Sequence, residues 1–427
     1  MRTKNGQDHL SIKRNMFWNT VGSIFYQGCL WLMTVLVVRL GTDYQDSGML
    51  AFAMSVGNIY TAVGTYTMRT YQVSDVTGKY STPNYVALRV VTVFGGLLLC
   101  GVYAACISPT SSTFFVIIAF LLFKANEAFI NVLYGCDQIA MRLDYVGISQ
   151  IIRGVLIVSA FSIGMVLTSN LVLSLLLVFG GNLLVDVVYD IPMTRRLVGS
   201  LWPSISRNQC ISLLTECFPT VAGNVINGLV VSASRQFFGN VYGEAALGIY
   251  AAVATPCVII QVLAQNLYIP LIGPIADKYR HGDCRAAKSA ATKLLFLVAG
   301  VALGVSAILT LLAEPLLTLI YGSSIAPYVN VLPLALIVMT GVATTTLIGD
   351  LLIVLDHLKT MLLVNSIALV ISLALVFPCS QAWYMNGLNA ALIIAYLVAD
   401  CVGIFQVFRY VSRPWAQRSD ASTPVNN

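Results

Sequence analysis

What most constrains this chain is a run of about twenty apolar residues that recurs, with short polar breaks, from one end to the other. A helix needs ~20 residues to cross the hydrocarbon of a bilayer. Runs of that length lie near 15–40, 46–68, 85–107, 113–135, 146–167, 171–191, 211–234, 246–270, 291–312, 329–353, 359–378 and 386–408. The breaks carry turn chemistry or charge, among them Gly41-Thr42-Asp43, Ser81-Thr82-Pro83-Asn84, Ser169-Asn170 and Tyr321-Gly322-Ser323-Ser324. The weakest run is the seventh, which holds Glu216, Pro219 and many small polar residues. Composition agrees. Of 427 residues 58% are apolar and 10% charged, whereas a soluble domain carries about 25% charged residues. Eighteen acidic and 24 basic side chains cannot clothe a water-soluble globule of this size. The expectation is an all-α polytopic membrane protein with twelve transmembrane helices and no spare length for a soluble catalytic domain.

Charge placement tests the layout independently. With the N-terminus in the cytoplasm and loops assigned alternately, 20 of the 24 basic residues fall on the cytoplasmic side, including Lys13, Lys79, Arg89, Arg195 and Lys278. The outer side receives Arg39 and Arg235, while Lys124 and Arg153 fall inside spans. Short cytoplasmic loops are where Lys and Arg accumulate, so both termini are expected inside. The polar stretch Met1 to Arg14 leads into a run too long for a signal-peptide core and without a small-residue cleavage site, which makes it the first span.

The chain reads as a duplication. Gly78-Lys79-Tyr80 follows the second span and Asp277-Lys278-Tyr279 follows the eighth. Arg39 closes the first span and Gly48 opens the second, as Arg235 closes the seventh and Gly248 opens the eighth. A shared offset of roughly 200 residues suggests parallel repeats about an axis along the membrane normal. The expected organisation is a six-helix lobe over 1–200, a second over 201–411 and a cytoplasmic tail over 412–427, with a central cavity between the lobes.

Catalytic motifs are absent: no phosphate loop, no dinucleotide fingerprint, no zinc-protease pair and no nucleophile elbow. No catalytic residue, metal ligand set or cofactor is therefore assigned, and nothing points to a nucleic-acid partner. The ten cysteines, such as Cys29, Cys100 and Cys257, form no Cys-x-x-Cys pair and sit mostly in apolar runs, as small hydrophobes do. His9, His281 and His357 are far apart.

Charges at membrane depth are informative because each costs ~2.5–3.5 kcal/mol or more at mid-span and so faces a partner or a wet cavity. Lys124 and Glu127 stand at i and i+3 in the fourth span, with Asn126 and Asn131 nearby. Two readings compete for them: a self-neutralised pair, and a cavity lining in which Lys124 meets an anion. Arg153, near the start of the fifth span, either snorkels to the interface or lines the cavity. Asp186, Glu216 and Asp400 have no basic neighbour in sequence and, with Glu127, are candidates for a coupling ion. Arg39 and Arg235 are either interface anchors or paired cations at the outer mouth, where the guanidinium fork suits phosphate. Arg69 would do the same at the inner mouth. Asn15, Asn19, Ser23 and Gln27 recur every four positions and mark one wet face of the first helix, so Asn19 and Gln27 join the candidate substrate-binding residues.

The stretches NMFWNTVGSIFYQGCLWLMTVLVVRL, YTMRTYQVSDVTGKYS and VLYGCDQIAMRLDYVGISQIIRG resemble the Wzx-type polysaccharide flippases of the multidrug/oligosaccharidyl-lipid/polysaccharide exporter superfamily. The likeness covers the first half well and the second half mainly by layout. It implies a two-lobed protein of the bacterial cytoplasmic membrane that moves undecaprenyl-pyrophosphate-linked oligosaccharide repeat units by alternating access for surface or capsular polysaccharide export. A cation-lined cavity would hold the pyrophosphate and sugar. The partners implied are that lipid-linked substrate, membrane lipids, and the polysaccharide polymerase and export machinery. The rival readings are a drug or cation exporter of the same superfamily, which would want an acidic cavity, and a membrane polymerase or ligase, which would want longer outer loops.

Overall fold

The computed structural model describes residues 11–41, 43–75 and 78–412; most of the N-terminal arm and the tail from 413 onward lie outside the described residues. Every regular element among them is helical. In chain order these are α1 (Ile12–Leu40), α2 (Tyr44–Thr65), α3 (Met68–Ser74), α4 (Thr82–Ile107), α5 (Ser111–Ile139), α6 (Leu143–Thr168), α7 (Leu171–Val185), α8 (Ile191–Val198), α9 (Arg207–Tyr242), α10 (Glu244–Ala254), α11 (Val258–Arg280), α12 (Cys284–Leu311), α13 (Ala313–Tyr321), α14 (Leu332–Val354) and α15 (Leu358–Val411). One π-helical turn, Asp186–Asp190, joins α7 to α8.

Helix starts follow local chemistry. Asn170 caps α7 by accepting from the Leu173 amide, Thr110 caps α5 through the Thr113 amide, and Ser81 with Asn84 forms a capping box ahead of α4, whose second residue is Pro83.

Ten helices among the described residues are long and apolar enough to cross a membrane. The two runs that separate this figure from twelve have local causes. α2 has the length but carries Gln45, Asp46, Ser47, Ser55, Asn58 and Thr61. α15 is one uninterrupted element only in name. Its backbone leaves helical geometry at Trp383 (φ −133°) and Tyr384 (φ 52°). There the chain doubles back so tightly that a Cβ on Gly387 would lie 1.9 Å from the Cys379 carbonyl oxygen. The seventh run, weakest in the sequence, forms the 36-residue α9 with Pro219 inside it.

The chain divides into two compact units: residues 1–221 with 243–248, and residues 222–242 with 249–427. In the first, α1 lies along α6, α2 packs on α4 and α5, and α7 packs on α5 and α6. Close approach at the α1–α6 crossing depends on missing side chains, since a Cβ on Gly22 would sit 2.5 Å from the Cα of Gly147. Gly48 and Gly248, the repeat-equivalent glycines, meet each other: a Cβ on Gly248 would lie 2.7 Å from the Gly48 nitrogen, and one on Gly48 would lie 1.9 Å from the Glu244 carbonyl oxygen. Glu244 is buried beside this crossing and accepts from Thr113, Thr110 and Gln45. In the second unit α14 packs on α15, α11 and α12. Asn389 ties it together, accepting from Tyr250 (2.8 Å) and donating to the Val331 carbonyl.

Candidate functional site

Inside the first unit a cavity of 280 Å³ opens between α1, α2, α3, α5 and α6. Helical spacing explains its lining. On α1, Ser23 and Gln27 are one turn apart, with Tyr26 between them; on α5, Lys124, Glu127, Asn131 and Tyr134 follow at i, i+3, i+7 and i+10, one stripe of a helix. α2 adds Thr61 and Thr65, α3 adds Arg69, and α6 adds Gln150 and Arg153.

Between Thr65 and Arg69 the helix breaks. Tyr66 (φ 49°) and Thr67 (φ 54°) both adopt the left-handed conformation, a strained choice for two consecutive non-glycine residues. The Gly64 carbonyl exposed by the break accepts from Arg89 Nη1 (2.6 Å) and Thr92 Oγ1 (2.9 Å). Arg89, counted with the cytoplasmic basic residues on sequence grounds, is fully buried in α4. It caps the carbonyl end of α2, where a cation is favoured, and reaches Asn131 of the cavity wall at 3.4 Å. Sequence reasoning did not single it out; its place two turns beyond the Ser81 cap was the available signal.

Each charge in the wall has a different status. Lys124 Nζ contacts Glu127 Oε2 at 2.5 Å, with side chains 17% and 22% exposed, and Tyr26 donates to Glu127. Lys124 also lies over the rings of Phe120 and Phe123, at 5.6 and 5.5 Å. The pair therefore both lines the cavity and cancels itself. Arg153 is 2% exposed and does not snorkel. Its guanidinium donates to Ser149 (3.1 Å), Asn126 (2.9 Å), Asn182 (3.3 Å), Asp190 (2.6 Å) and Asp186. Asn126, adjacent to the Lys124–Glu127 pair in sequence, faces this network instead and donates to Asp186. Arg69 differs from both. Its Nε and Nη2 go to the neutral Gln138 amide oxygen at 3.1 and 2.9 Å, and it lies 5.9 Å from the Tyr134 ring centre. Among the described lining residues, Arg69 is the cation with no carboxylate bonded to it.

The other sequence candidates lie elsewhere. Asn15 is buried at the start of α1, where it donates to Met141 O and accepts from the Leu143 amide; Asn19 is partly buried and outside the cavity lining. Arg39 ends α1 on the surface. Arg235 belongs to the second unit and lies over the Tyr250 ring at 5.5 Å. Two of the apparently solitary acids have basic partners supplied by other elements. Asp186 has Arg153; Glu216 binds Lys79 at 2.8 Å and accepts from Tyr71 and Ser212. Its own bond to Glu216, followed by one to Tyr80, raises the Lys79 ammonium above its ordinary pKa. Asp400, in the second unit, accepts from Thr345 at 2.5 Å, and Asp350, which the sequence reading passed over, accepts from Tyr268 at 2.8 Å. No group of three or more potential metal ligands is found among the described residues.

No protein-family model matches the sequence. A capsular polysaccharide biosynthesis protein, CapF of Staphylococcus aureus, is 24% identical over 322 residues, covering 72% of this chain and 77% of that protein. Among solved structures, the lipid II flippase MurJ in an inward closed conformation superposes with a TM-score of 0.71 at 11% identity, covering 92% of this chain and 89% of that one. A multidrug resistance MATE family transporter of the MOP superfamily, inward-facing, gives 0.67 at 13% identity over 95% and 100% of the two chains. The chain thus shares the fold of those two proteins, and with ten helices among the described residues long and apolar enough to cross a membrane it is a multi-pass helical membrane protein.

Proposed function

We propose that this protein is a flippase that moves a lipid-linked oligosaccharide, carried on undecaprenyl pyrophosphate, across the bacterial cytoplasmic membrane by alternating access. The observation that carries the reading is Arg69. It is the lining cation with no carboxylate bonded to it, in a polar cavity where Lys124 is held by Glu127 and Arg153 by Asp186 and Asp190, and an anionic group is the ligand its guanidinium would take. A guanidinium presents parallel donors to phosphate oxygens. A drug or cation exporter would want the reverse polarity. The cavity's 280 Å³ lies near the lower end of the ~300–1,000 Å³ of small-ligand sites. It suits the phosphate-bearing head of the substrate, with the glycan and the prenyl chain outside it. The names of the CapF relative and of the MurJ neighbour support a lipid-linked glycan. On this reading α2 and both arms of α15 join the other nine apolar helices as twelve crossings in two six-helix lobes, with both termini cytoplasmic. A polymerase and export machinery would consume the product.

The test is accumulation of lipid-linked oligosaccharide in the inner leaflet against surface glycan, in cells making variants of equal membrane abundance. Losing charge-assisted bonds worth ~1.5–3 kcal/mol each, Arg69→Gln should slow export by about ten- to a hundredfold. Arg69→Lys should recover part of it, and the double variant Lys124→Gln/Glu127→Gln should retain most activity. Full export by Arg69→Gln would overturn the reading.

A further inference from the structure

On the face of α5 opposite the polar cavity lies a second, larger one of 590 Å³, and its composition is different. Val90 of α4 with Phe129 and Leu133 of α5 form an apolar floor, and Leu201 and Trp202 of the segment after α8 form one wall. Arg195, in the last turn of α8, stands at the rim.

The wall is fixed in place. Gly199 (φ 79°) turns the chain out of α8, and the segment that follows is fastened to the start of α4 by two bonds: the Ser204 amide donates to Pro83 O (3.2 Å) and Asn84 Nδ2 donates to Ser204 O (2.7 Å). Leu201 and Ile205 pack onto the core around Tyr85, Val86 and Leu133.

Depth in the membrane follows from the helices. The apolar span through α7 and α8 ends at Val198, so Arg195 lies at its interfacial end. Val90 is eight residues into α4, about 12 Å along the helix from its start. Trp202 is 81% exposed, an arrangement suited to the headgroup region, where indole rings concentrate. The crevice thus begins at the interface with a cation and runs inward as an apolar slot. Among the described residues Arg195 has no ion pair, and the neighbouring Arg196 leans on Met193 Sδ at 3.6 Å.

We infer that this crevice binds an anionic phospholipid of the surrounding membrane, one acyl chain lying against Val90, Phe129 and Leu133 and the phosphate meeting Arg195. A basic rim above an apolar slot between helices is the chemistry that selects an acidic headgroup with its chain. The transported substrate is a poorer occupant, because the slot and the polar cavity use opposite faces of α5: Phe129 and Leu133 point away from the stripe of Lys124, Glu127 and Asn131. The lipid would brace the segment 199–206 against α4 and α5. The site is independent of transport, so its test reads binding alone.

The full-length protein, purified in detergent and delipidated, is given dioleoyl phosphatidylglycerol or dioleoyl phosphatidylcholine, and bound lipid is counted by native mass spectrometry. The wild type should retain one phosphatidylglycerol in preference to phosphatidylcholine by about fivefold, the worth of one basic residue near an anionic headgroup. Arg195→Gln should abolish the preference while the weaker phosphatidylcholine binding persists, and Arg196→Gln should leave the preference intact. Val90→Trp should exclude both lipids; where it fails to fold, Leu201→Trp, on the wall and partly exposed, replaces it. Equal retention of the two lipids by the wild type would overturn the inference, as would undiminished binding in the folded tryptophan variant. Loss of preference in Arg196→Gln equal to that in Arg195→Gln would overturn it too, since bulk charge would then explain the selectivity. Displacement of phosphatidylglycerol by an equal concentration of undecaprenyl phosphate would refute the choice of a phospholipid as occupant.

Discussion

Arg153 should hold the first unit together more than any other single side chain, and charge counting says how its partners should respond. It is 2% exposed, and its five hydrogen bonds gather α5, α6, α7 and the π-turn around one guanidinium. Arg153→Met leaves Asp186 and Asp190 facing each other, buried, with no cation. Stranding one partner of a buried pair costs about 3–5 kcal/mol, and here two carboxylates are stranded together. At ~2–4 °C per kcal/mol for a folding unit of this size, the melting temperature should fall on the order of 10 °C.

Removing an acid is a different operation. Asp186→Asn keeps the Arg153–Asp190 contact at 2.6 Å as a balanced pair and leaves an amide oxygen for Asn126. Its loss should stay near 1 kcal/mol, the scale of a single hydrogen bond. The triple variant Arg153→Met/Asp186→Asn/Asp190→Asn should recover most of what Arg153→Met loses. The assay is thermal unfolding in detergent, followed by size-exclusion fluorescence, on proteins of equal initial monodispersity. If Arg153→Met melts with the wild type, or if Asp186→Asn is as damaging as Arg153→Met, the charge-balance reasoning fails.

Other outcomes follow from the same structure. Gly48→Ala places a Cβ 1.9 Å from the Glu244 carbonyl and should cost about 1–3 kcal/mol by forcing two backbones apart, whereas Gly28→Ala, with open space around it, should be silent; thermal unfolding of the two separates them. Thr67→Gly relieves a left-handed β-branched residue and removes a buried hydroxyl without a partner, so it should raise stability by about 1 kcal/mol, and a lowered melting temperature would contradict the strain at the α2–α3 break. In a cysteine-free background, Leu197→Cys and Asp283→Cys should resist a membrane-impermeant thiol reagent added to intact cells, while Asp43→Cys and Gly322→Cys should react. Labelling at 197 or 283 from outside would refute the cytoplasmic assignment of the basic loops.

The positions of the helices were legible in the sequence because what sets them is local. Apolar runs and caps such as Ser81 and Asn170 act within a few residues, and the expected edges of α1 and α6 fall within about three residues of those observed. The Lys124–Glu127 pair was legible for the same reason, being one helical turn long. Partners far apart along the chain were not. Asp186 and Asp190 meet Arg153 across 33 and 37 residues, and Lys79 meets Glu216 across 137, so Asp186 and Glu216 looked solitary and Asp190 drew no notice. Nor did the sequence reveal which side of α5 each polar residue serves. Asn126 and Asn131 read alike, yet one belongs to the buried network and the other to the cavity wall, because the packing of α7 on α5 decides which face is enclosed.

Arg69 owes its surroundings to backbone geometry as well as to helical spacing. Thr61, Thr65 and Arg69 stand at i, i+4 and i+8, so helical spacing alone puts them on one face, and the break between α2 and α3 changes the direction of the chain between them. The left-handed pair Tyr66–Thr67 ends the helix, Arg89 and Thr92 take up the carbonyl so released, and the chain restarts as α3 with Arg69 beside Thr61 and Thr65. Gln138, at the end of α5, then holds the guanidinium by two nitrogens through an uncharged oxygen. An acid in that position would orient Arg69 equally well but cancel it, as Glu127 cancels Lys124. An amide orients Arg69 without a direct ion pair, and on the proposed reading the guanidinium is thereby left to meet an anionic group of the substrate.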